Sequence, residues 1–152
     1  DDDGVKGPMQ PTPFLARCPY LARCLAALGS VLGRTRLMRI VGNGEAHAHV
    51  DTNYYWMQRT RVHFPIVTYP EVRFLCGSAE LNMKPGQVWL FDTWRMHNVL
   101  NANPGARIHL VADTVGSADF WELAANGERP FTDPPTLAAV PDRFVDAGGP
   151  VP

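Results

Sequence analysis

Two histidines and one aspartate stand at spacings that suit a metal ion. His49-Val50-Asp51 lies in a run predicted as a strand, and His97 follows a later run of the same kind. Residues two apart on a strand share a face and lie about 6.6 Å apart, so His49 and Asp51 can bind one ion from one side. Two imidazoles and one carboxylate hold non-haem Fe(II) and leave positions open for O₂ and an organic co-substrate. The pattern predicts an iron oxygenase centre.

Arg107, ten residues after His97, begins another predicted strand and shares one face of it with His109. A guanidinium held in a concave site can bind a carboxylate through two parallel hydrogen bonds, as a dicarboxylate co-substrate requires. The alternative is a salt bridge between Arg107 and a carboxylate of the chain, such as Asp92 or Asp113.

Arg61 and His63 repeat this arrangement, since they share one face of an earlier predicted strand. Both are candidates for contact with an anionic ligand. The alternative is a structural ion pair of Arg61 at the start of the strand.

His47 offers a second ligand set. On a regular strand His47 and His49 share a face and match the H-x-H pair of metal-binding cupins. That motif continues to a Glu a few residues later, whereas Asp51 is the only acid near that place here. His47 is therefore expected to neighbour the metal rather than bind it. A three-histidine centre of His47, His49 and His97 stays open as the alternative.

Short β-branched and aromatic runs separated by Gly, Pro and Asn dominate the chain from residue 35. They predict strands at 37–41, 46–51, 62–68, 72–76, 79–83, 87–91, 99–100 and 108–113. So many short strands indicate a sandwich or barrel, and a mainly β jelly roll is favoured because side chains of several strands converge at its mouth. We expect a lead-in and short helix in residues 1–34, with the helix at 21–32. The catalytic core is expected in 35–121, and an irregular Pro- and Gly-rich tail in 122–152.

Composition narrows the class of partner. The chain has 152 residues, 45% of them apolar, and a net charge of −1. This balance gives no electrostatic footprint for nucleic acid or an acidic membrane, so a small molecule or peptide is the expected substrate. Three cysteines without a C-x-x-C pair suggest neither a disulfide framework nor a zinc site and favour the cytoplasm. The sequence begins with Asp rather than Met, which suggests part of a longer chain.

The motifs resemble those of a known family over about residues 35–121. They are H-x-D at 49–51, R-V-H-F at 61–64, M-x-P-G-x-x-W-x-F-D at 83–92, His97, and R-I-H-L-V-x-D at 107–113. The chain resembles the aspartyl/asparaginyl β-hydroxylases, and because Asp51 is retained it lies nearer their bacterial L-proline cis-4-hydroxylase branch. Gln87 stands where the family commonly has Glu.

The resemblance implies a dioxygenase on a double-stranded β-helix that uses Fe(II), 2-oxoglutarate and O₂ to hydroxylate an amino acid or aminoacyl side chain. It assigns His49, Asp51 and His97 to iron, Arg107 to the distal carboxylate of 2-oxoglutarate, and Arg61 and His63 to its other end. Two alternatives of other classes are a non-catalytic cupin-like binding domain and the three-histidine metalloenzyme without 2-oxoglutarate.

Overall fold

The computed structural model describes residues 9–52 and 54–130. Three α-helices and eight strands occur in that part of the chain. The helices are α1 Pro13–Ala16, α2 Pro19–Ala26 and α3 Ala118–Ala125, and a 3-10 helix spans Tyr54–Gln58. The strands are β1 Leu32–Ile40, β2 Glu45–His49, β3 Thr60–Val67, β4 Val72–Cys76, β5 Ala79–Leu81, β6 Trp89–Leu90, β7 His97–Asn101 and β8 Arg107–Thr114. No helix within these residues is long and apolar enough to span a membrane.

The strands form two four-stranded antiparallel sheets, in the orders β1-β8-β3-β6 and β2-β7-β4-β5. Consecutive strands along the chain mostly alternate between the sheets, so the chain winds around both of them. This is the double-stranded β-helix, and the predicted jelly roll is confirmed.

The sheet β1-β8-β3-β6 is apolar on its outer face. Val62 and Phe64 on β3 stand opposite Ala112 and Leu110 on β8. They pack into one buried cluster with side chains that include Leu25 and Leu28 of the α2 region and Phe120 of α3. Alternation along each strand therefore turns the intervening residues toward the other sheet. On β3 and β8 most of those are polar: Arg61, His63, Arg107, His109 and Asp113.

A second buried cluster fills the inner face of β2-β7-β4-β5. It consists of Val72, Phe74, Met83 and Val99, with Trp89 and Phe91 packed against it. The space between the sheets is thus apolar on one side and polar on the other. Apolar walls with a few convergent polar groups are typical of a ligand-binding pocket, and the cationic side chains here favour an anionic ligand.

The element boundaries differ from expectation at both ends of the barrel. The predicted helix at 21–32 is α2, which begins at Pro19 and ends at Ala26, and a turn with Gly29 at φ 59° follows it. β1 already begins at Leu32, within the predicted lead-in. At the other end, α3 runs to Ala125, although residues from 122 onward were expected to be irregular. Residues 131–152 of the predicted tail lie outside the described residues, and the division of the chain into three regions stays a prediction.

Candidate metal and anion site

A β-bulge in β2 decides which histidine faces the inside of the barrel. Ala46 pairs with Val99 and His49 with His97, so His47 and Ala48 of β2 lie opposite the single residue Asn98 of β7. The extra residue shifts the alternation, and Ala46 and His49 both lie on the inner face. His97 is buried, and its ring centroid lies 4.3 Å from that of His49.

His47 lies on the outer face, next to the inward Ala46, and does not follow His49 inward. Its side chain is 86% exposed, and its Nδ1 lies 2.7 Å from Oε1 of Glu45. The expectation that His47 and His49 share a face is therefore wrong, because it assumed an unbroken alternation. With His47 on the outer face, the alternative centre of three histidines has no support in the structure.

Asp51 completes a three-residue group with the two inward histidines. One ligand atom from each of His49, Asp51 and His97 can be chosen so that all lie within 4.8 Å of one another. Asp51 follows the end of β2, and its backbone N–H donates to the carbonyl of Thr93 at 3.0 Å. This bond ties the loop carrying Asp51 to the loop that leads to His97.

Both imidazoles are held by backbone carbonyls. Nδ1 of His49 lies 2.7 Å from the carbonyl oxygen of His47, and Nδ1 of His97 lies 2.8 Å from that of Arg95. A carbonyl only accepts, so each Nδ1 carries the proton and each Nε2 is the nitrogen able to bind a metal. Burial lowers the pKa of His97, which also favours the neutral ligand form. The donor set and its orientation fit a divalent transition metal.

Arg107 lies in the interior, and none of the described carboxylates is its counter-ion. It is 3% exposed, and its Nη2 lies 2.7 Å from Nδ1 of His109, while its Nε has no hydrogen-bond partner. Burial lowers its pKa to about 10, so it remains charged at neutral pH. Neither carboxylate considered above is its partner: Asp92 pairs with Arg95, and Asp113 with Arg61. Among the described residues no carboxylate lies within ion-pair distance of Arg107.

Two buried histidines lie beside this cation. Burial lowers the pKa of His109 to about 3, with a further contribution from Arg107, and it lowers the pKa of His63 well below its usual value. The ring centroids of the two histidines are 5.7 Å apart. Neither ring nitrogen of His63 has a hydrogen-bond partner, and neither does Nε2 of His109. Unpaired buried polar atoms on three residues indicate a place built for a polar ligand.

Phe91 contacts both the cluster of Arg107, His63 and His109 and the group of His49, Asp51 and His97. Its ring centroid lies 5.0 Å from that of His97 and 5.3 Å from that of His63. Phe91 and Phe74 also line a cavity of about 300 Å³, and Asp92 and Arg95 are among its other lining residues. The structure therefore brings His49, Asp51, His97, His63 and Arg107 into one region of the interior.

Arg61 lies in the same interior but has protein partners. Its Nε donates to Oδ1 of Asp113 at 2.9 Å, and its Nη1 lies 3.5 Å from Oδ2 of Asp51. The structural ion pair considered for Arg61 is thus present. Sequence reasoning missed that its partner is Asp113, because only the β3–β8 register places these two residues opposite each other.

Gln87 has a local structural role. Its Oε1 accepts from the backbone N–H of Lys84 at 2.8 Å and from Nε1 of Trp89 at 2.9 Å. These bonds shape the turn before β6, so this departure from the family pattern does not disturb the ligand group.

Comparison with known families identifies the chain. The family described as aspartyl/asparaginyl beta-hydroxylase matches residues 7–116, a stretch that contains every predicted site residue. The chain belongs to this family. A comparison of the chain with curated proteins finds no match.

Solved structures resemble this family member in fold alone. A protein with a double-stranded β-helix domain from Klebsiella pneumoniae is 14% identical, with a TM-score of 0.44 over 59% of this chain and 77% of that one. A salicylate 1,2-dioxygenase from Pseudaminobacter salicylatoxidans is 12% identical, with a TM-score of 0.45 over 80% of this chain and 41% of that one. A cupin 2 conserved barrel protein from Salinispora arenicola is 10% identical, with a TM-score of 0.41 over 81% of this chain and 100% of that one.

Proposed function

We propose that this hydroxylase-family chain is an Fe(II)- and 2-oxoglutarate-dependent dioxygenase that hydroxylates an amino acid or an aminoacyl side chain. Family membership supports a hydroxylase, and the two imidazoles and one carboxylate support a non-haem iron centre. When bound, iron and 2-oxoglutarate supply the oxidising chemistry by activating O₂.

The observation that carries the proposal is the buried guanidinium of Arg107, which has no carboxylate partner among the described residues. An uncompensated charge in the interior is costly, so a protein keeps one where a ligand will pair with it. The partner must be anionic, and a planar guanidinium fits a carboxylate with two parallel hydrogen bonds. A dicarboxylate could place one end on Arg107 and extend its other end past His63 toward the metal group.

The neighbouring side chains assist in orientation and in the exclusion of water. His63 is neutral at physiological pH, because burial disfavours its cation, and it can donate a hydrogen bond to a ligand oxygen. His109 accepts from Arg107 and so fixes the direction of the guanidinium. Phe91 and Phe74 keep the inner side of His97 apolar. His49 is the exposed member of the metal group, so we expect the substrate to approach from that side.

Substrate turnover tests the reaction. Purified protein with Fe(II), 2-oxoglutarate and O₂ is offered a panel of free amino acids, proline included, and short aspartyl or asparaginyl peptides. We expect one substrate to gain one oxygen atom, by mass spectrometry, in step with succinate formation. Succinate at the uncoupled rate with every candidate, or a desaturated or halogenated product, would refute the proposed hydroxylation.

Replacing Arg107 by Met tests the anion site separately from turnover. The change keeps the apolar stem and removes the charge, so 2-oxoglutarate binding to the anaerobic metal-loaded protein should weaken by about 2 kcal/mol or more. Metal affinity should stay near that of the parent protein. Arg73→Met is the matched control, because Arg73 pairs with Glu80 on the exposed side of the β4–β5 hairpin. Equal 2-oxoglutarate affinity in both variants would remove Arg107 from the site.

A further inference from the structure

Asp51 and Asp113 share the guanidinium of Arg61. The shorter contact, 2.9 Å, joins Nε of Arg61 to Oδ1 of Asp113, and the longer, 3.5 Å, joins Nη1 to Oδ2 of Asp51. All three side chains are largely buried, with exposures of 9%, 2% and 14% for Arg61, Asp113 and Asp51. Two acceptors on different atoms of one rigid fork fix both the plane and the position of the guanidinium.

Two aromatic residues that follow the Asp51 loop enclose this ion pair. The guanidinium carbon of Arg61 lies 4.2 Å from the ring centroid of Trp56. The hydroxyl of Tyr55 donates to Oδ2 of Asp113 at 3.1 Å. Tyr55 and Trp56 belong to the 3-10 helix that begins three residues after Asp51. The segment that follows Asp51 thus packs over Arg61, the arginine that contacts Asp51.

We propose that Arg61 is the positioning residue of the metal ligand Asp51, held in place by Asp113, Tyr55 and Trp56. This assignment rests on the proposed function, in which Asp51 binds the metal. The hydrogen bond from Arg61 reaches Oδ2, so Oδ1 of the same carboxylate would remain available to a metal ion. It also differs from the role that the family resemblance implies for Arg61, namely contact with 2-oxoglutarate.

The assignment separates the two interior arginines by their partners. Arg61 is neutralised by carboxylates of the chain itself, whereas Arg107 has no such partner in the part of the chain that the structure describes. Arg61 should therefore act on metal affinity and Arg107 on co-substrate affinity. A structural role for Arg61 alone would lower stability but leave both affinities of the folded protein unchanged.

Binding of Co(II) without 2-oxoglutarate or O₂ tests the proposal. Co(II) affinity is measured by competition with a chelator, and the visible absorption of bound Co(II) reports its coordination. Arg61→Lys and Arg61→Gln should weaken binding about 10- to 100-fold, as loss of a group that orients a metal ligand does, and should alter the spectrum. Tyr55→Phe, which removes only one hydroxyl, should shift affinity in the same direction by a smaller factor. Arg73→Gln should leave affinity and spectrum unchanged.

A second titration separates the two arginines. With Co(II) at saturation, 2-oxoglutarate should bind Arg61→Lys within about twofold of the parent protein, and Arg107→Met much more weakly. Parent-like Co(II) affinity in Arg61→Lys and Tyr55→Phe would overturn the positioning role, and so would a loss confined to 2-oxoglutarate. Should Arg61→Gln fail to fold by circular dichroism, Arg61→Lys and Tyr55→Phe decide the outcome. Absence of Co(II) binding by the parent protein would instead refute the proposed metal centre itself.

Discussion

At the scale of single residues, one inserted residue in β2 decides which histidine joins the candidate metal site. His47 and His49 have the same side chain, yet the bulge between Ala46 and His49 puts only the second histidine on the inner face. The carbonyl of His47 still contributes, since it accepts the hydrogen bond that orients His49. This bond needs the backbone of residue 47 and not its imidazole.

We therefore predict that alanine substitution of His47 differs in outcome from alanine substitution of His97 or Asp51. His97→Ala removes an imidazole of the metal group and should abolish tight metal binding, as should Asp51→Ala. His47→Ala keeps the carbonyl that orients His49, so its metal content should equal that of the parent protein. Equilibrium dialysis followed by elemental analysis measures the ion bound per chain. Loss of metal from His47→Ala, with retention in Asp51→Ala, would restore the three-histidine centre, and retention in His97→Ala would place the metal elsewhere.

The sequence was sufficient to predict that His49, Asp51 and His97 come together, and insufficient for the ion pairs. Their proximity was predictable because a facial metal group needs few residue types at recognisable spacings, and their binding of a metal stays a prediction. One alternative for Arg107 could also have been excluded from the sequence. Asp113 lies six residues further along the same strand, which is about 20 Å and beyond the reach of Arg107. The actual partner of Asp113, Arg61, depends on how β3 pairs with β8, and no local pattern encodes that register.

At the scale of elements, turn and capping residues explain which helices and strands were predicted correctly and which were not. Gly77, at φ 58°, forms the turn of the β4–β5 hairpin, and β4 occupies its predicted span of 72–76. α3 was missed because the stretch after residue 121 is rich in Pro and Gly. A local signal was nevertheless present, since the hydroxyl of Ser117 accepts from the backbone N–H of Phe120 and caps the helix.

Asn101 lies at the opposite end of β7 from His97 and hydrogen-bonds to two loops. Its amide nitrogen donates to the carbonyl of Val41 at 3.0 Å and to that of Gly105 at 2.9 Å, and its side chain is almost fully buried. It therefore joins the β1–β2 connection to the β7–β8 connection. His97 is four residues away on the same strand, which is about 13 Å.

Asn101→Ala should accordingly reduce stability without affecting metal binding. Removing the amide leaves buried carbonyls unpaired, which costs roughly 1–3 kcal/mol in the free energy of unfolding. Urea denaturation of the metal-free protein measures that loss, and Co(II) titration of the folded variant measures the site. A weakened Co(II) affinity would mean that the two ends of β7 are coupled, contrary to this prediction.

At the scale of the whole molecule, an apolar core and the candidate site lie on opposite faces of one sheet. The outer face of β1-β8-β3-β6 packs on the helices through apolar side chains that include Phe64, Leu110 and Phe120. The inner face carries charged and imidazole groups that the protein must keep dry or pair with a ligand. Burial of such groups costs free energy, and the apolar clusters have to offset that cost.

This arrangement makes stability depend on pH through the buried histidines. The pKa of His109 is about 3 in the folded chain, against an ordinary value near 6.5. Between these values the unfolded chain binds a proton that the folded chain excludes, so the free energy of unfolding rises with pH. Stability should thus be complete above about pH 6.5 and should fall as the pH is lowered, by up to about 1.4 kcal/mol per pH unit for His109. His63, whose pKa is also lowered, acts in the same direction.

His109→Gln should lessen that slope, because it removes one of the two buried groups that must stay neutral. The measurement is urea unfolding of metal-free protein at several pH values between about 4.5 and 7.5, with parent and variant compared by slope rather than by absolute stability. Comparison of slopes matters because Gln also changes the contact with Arg107, which shifts the free energy of unfolding at every pH alike. A slope in His109→Gln as steep as that of the parent protein would show that His109 is not the group that excludes the proton.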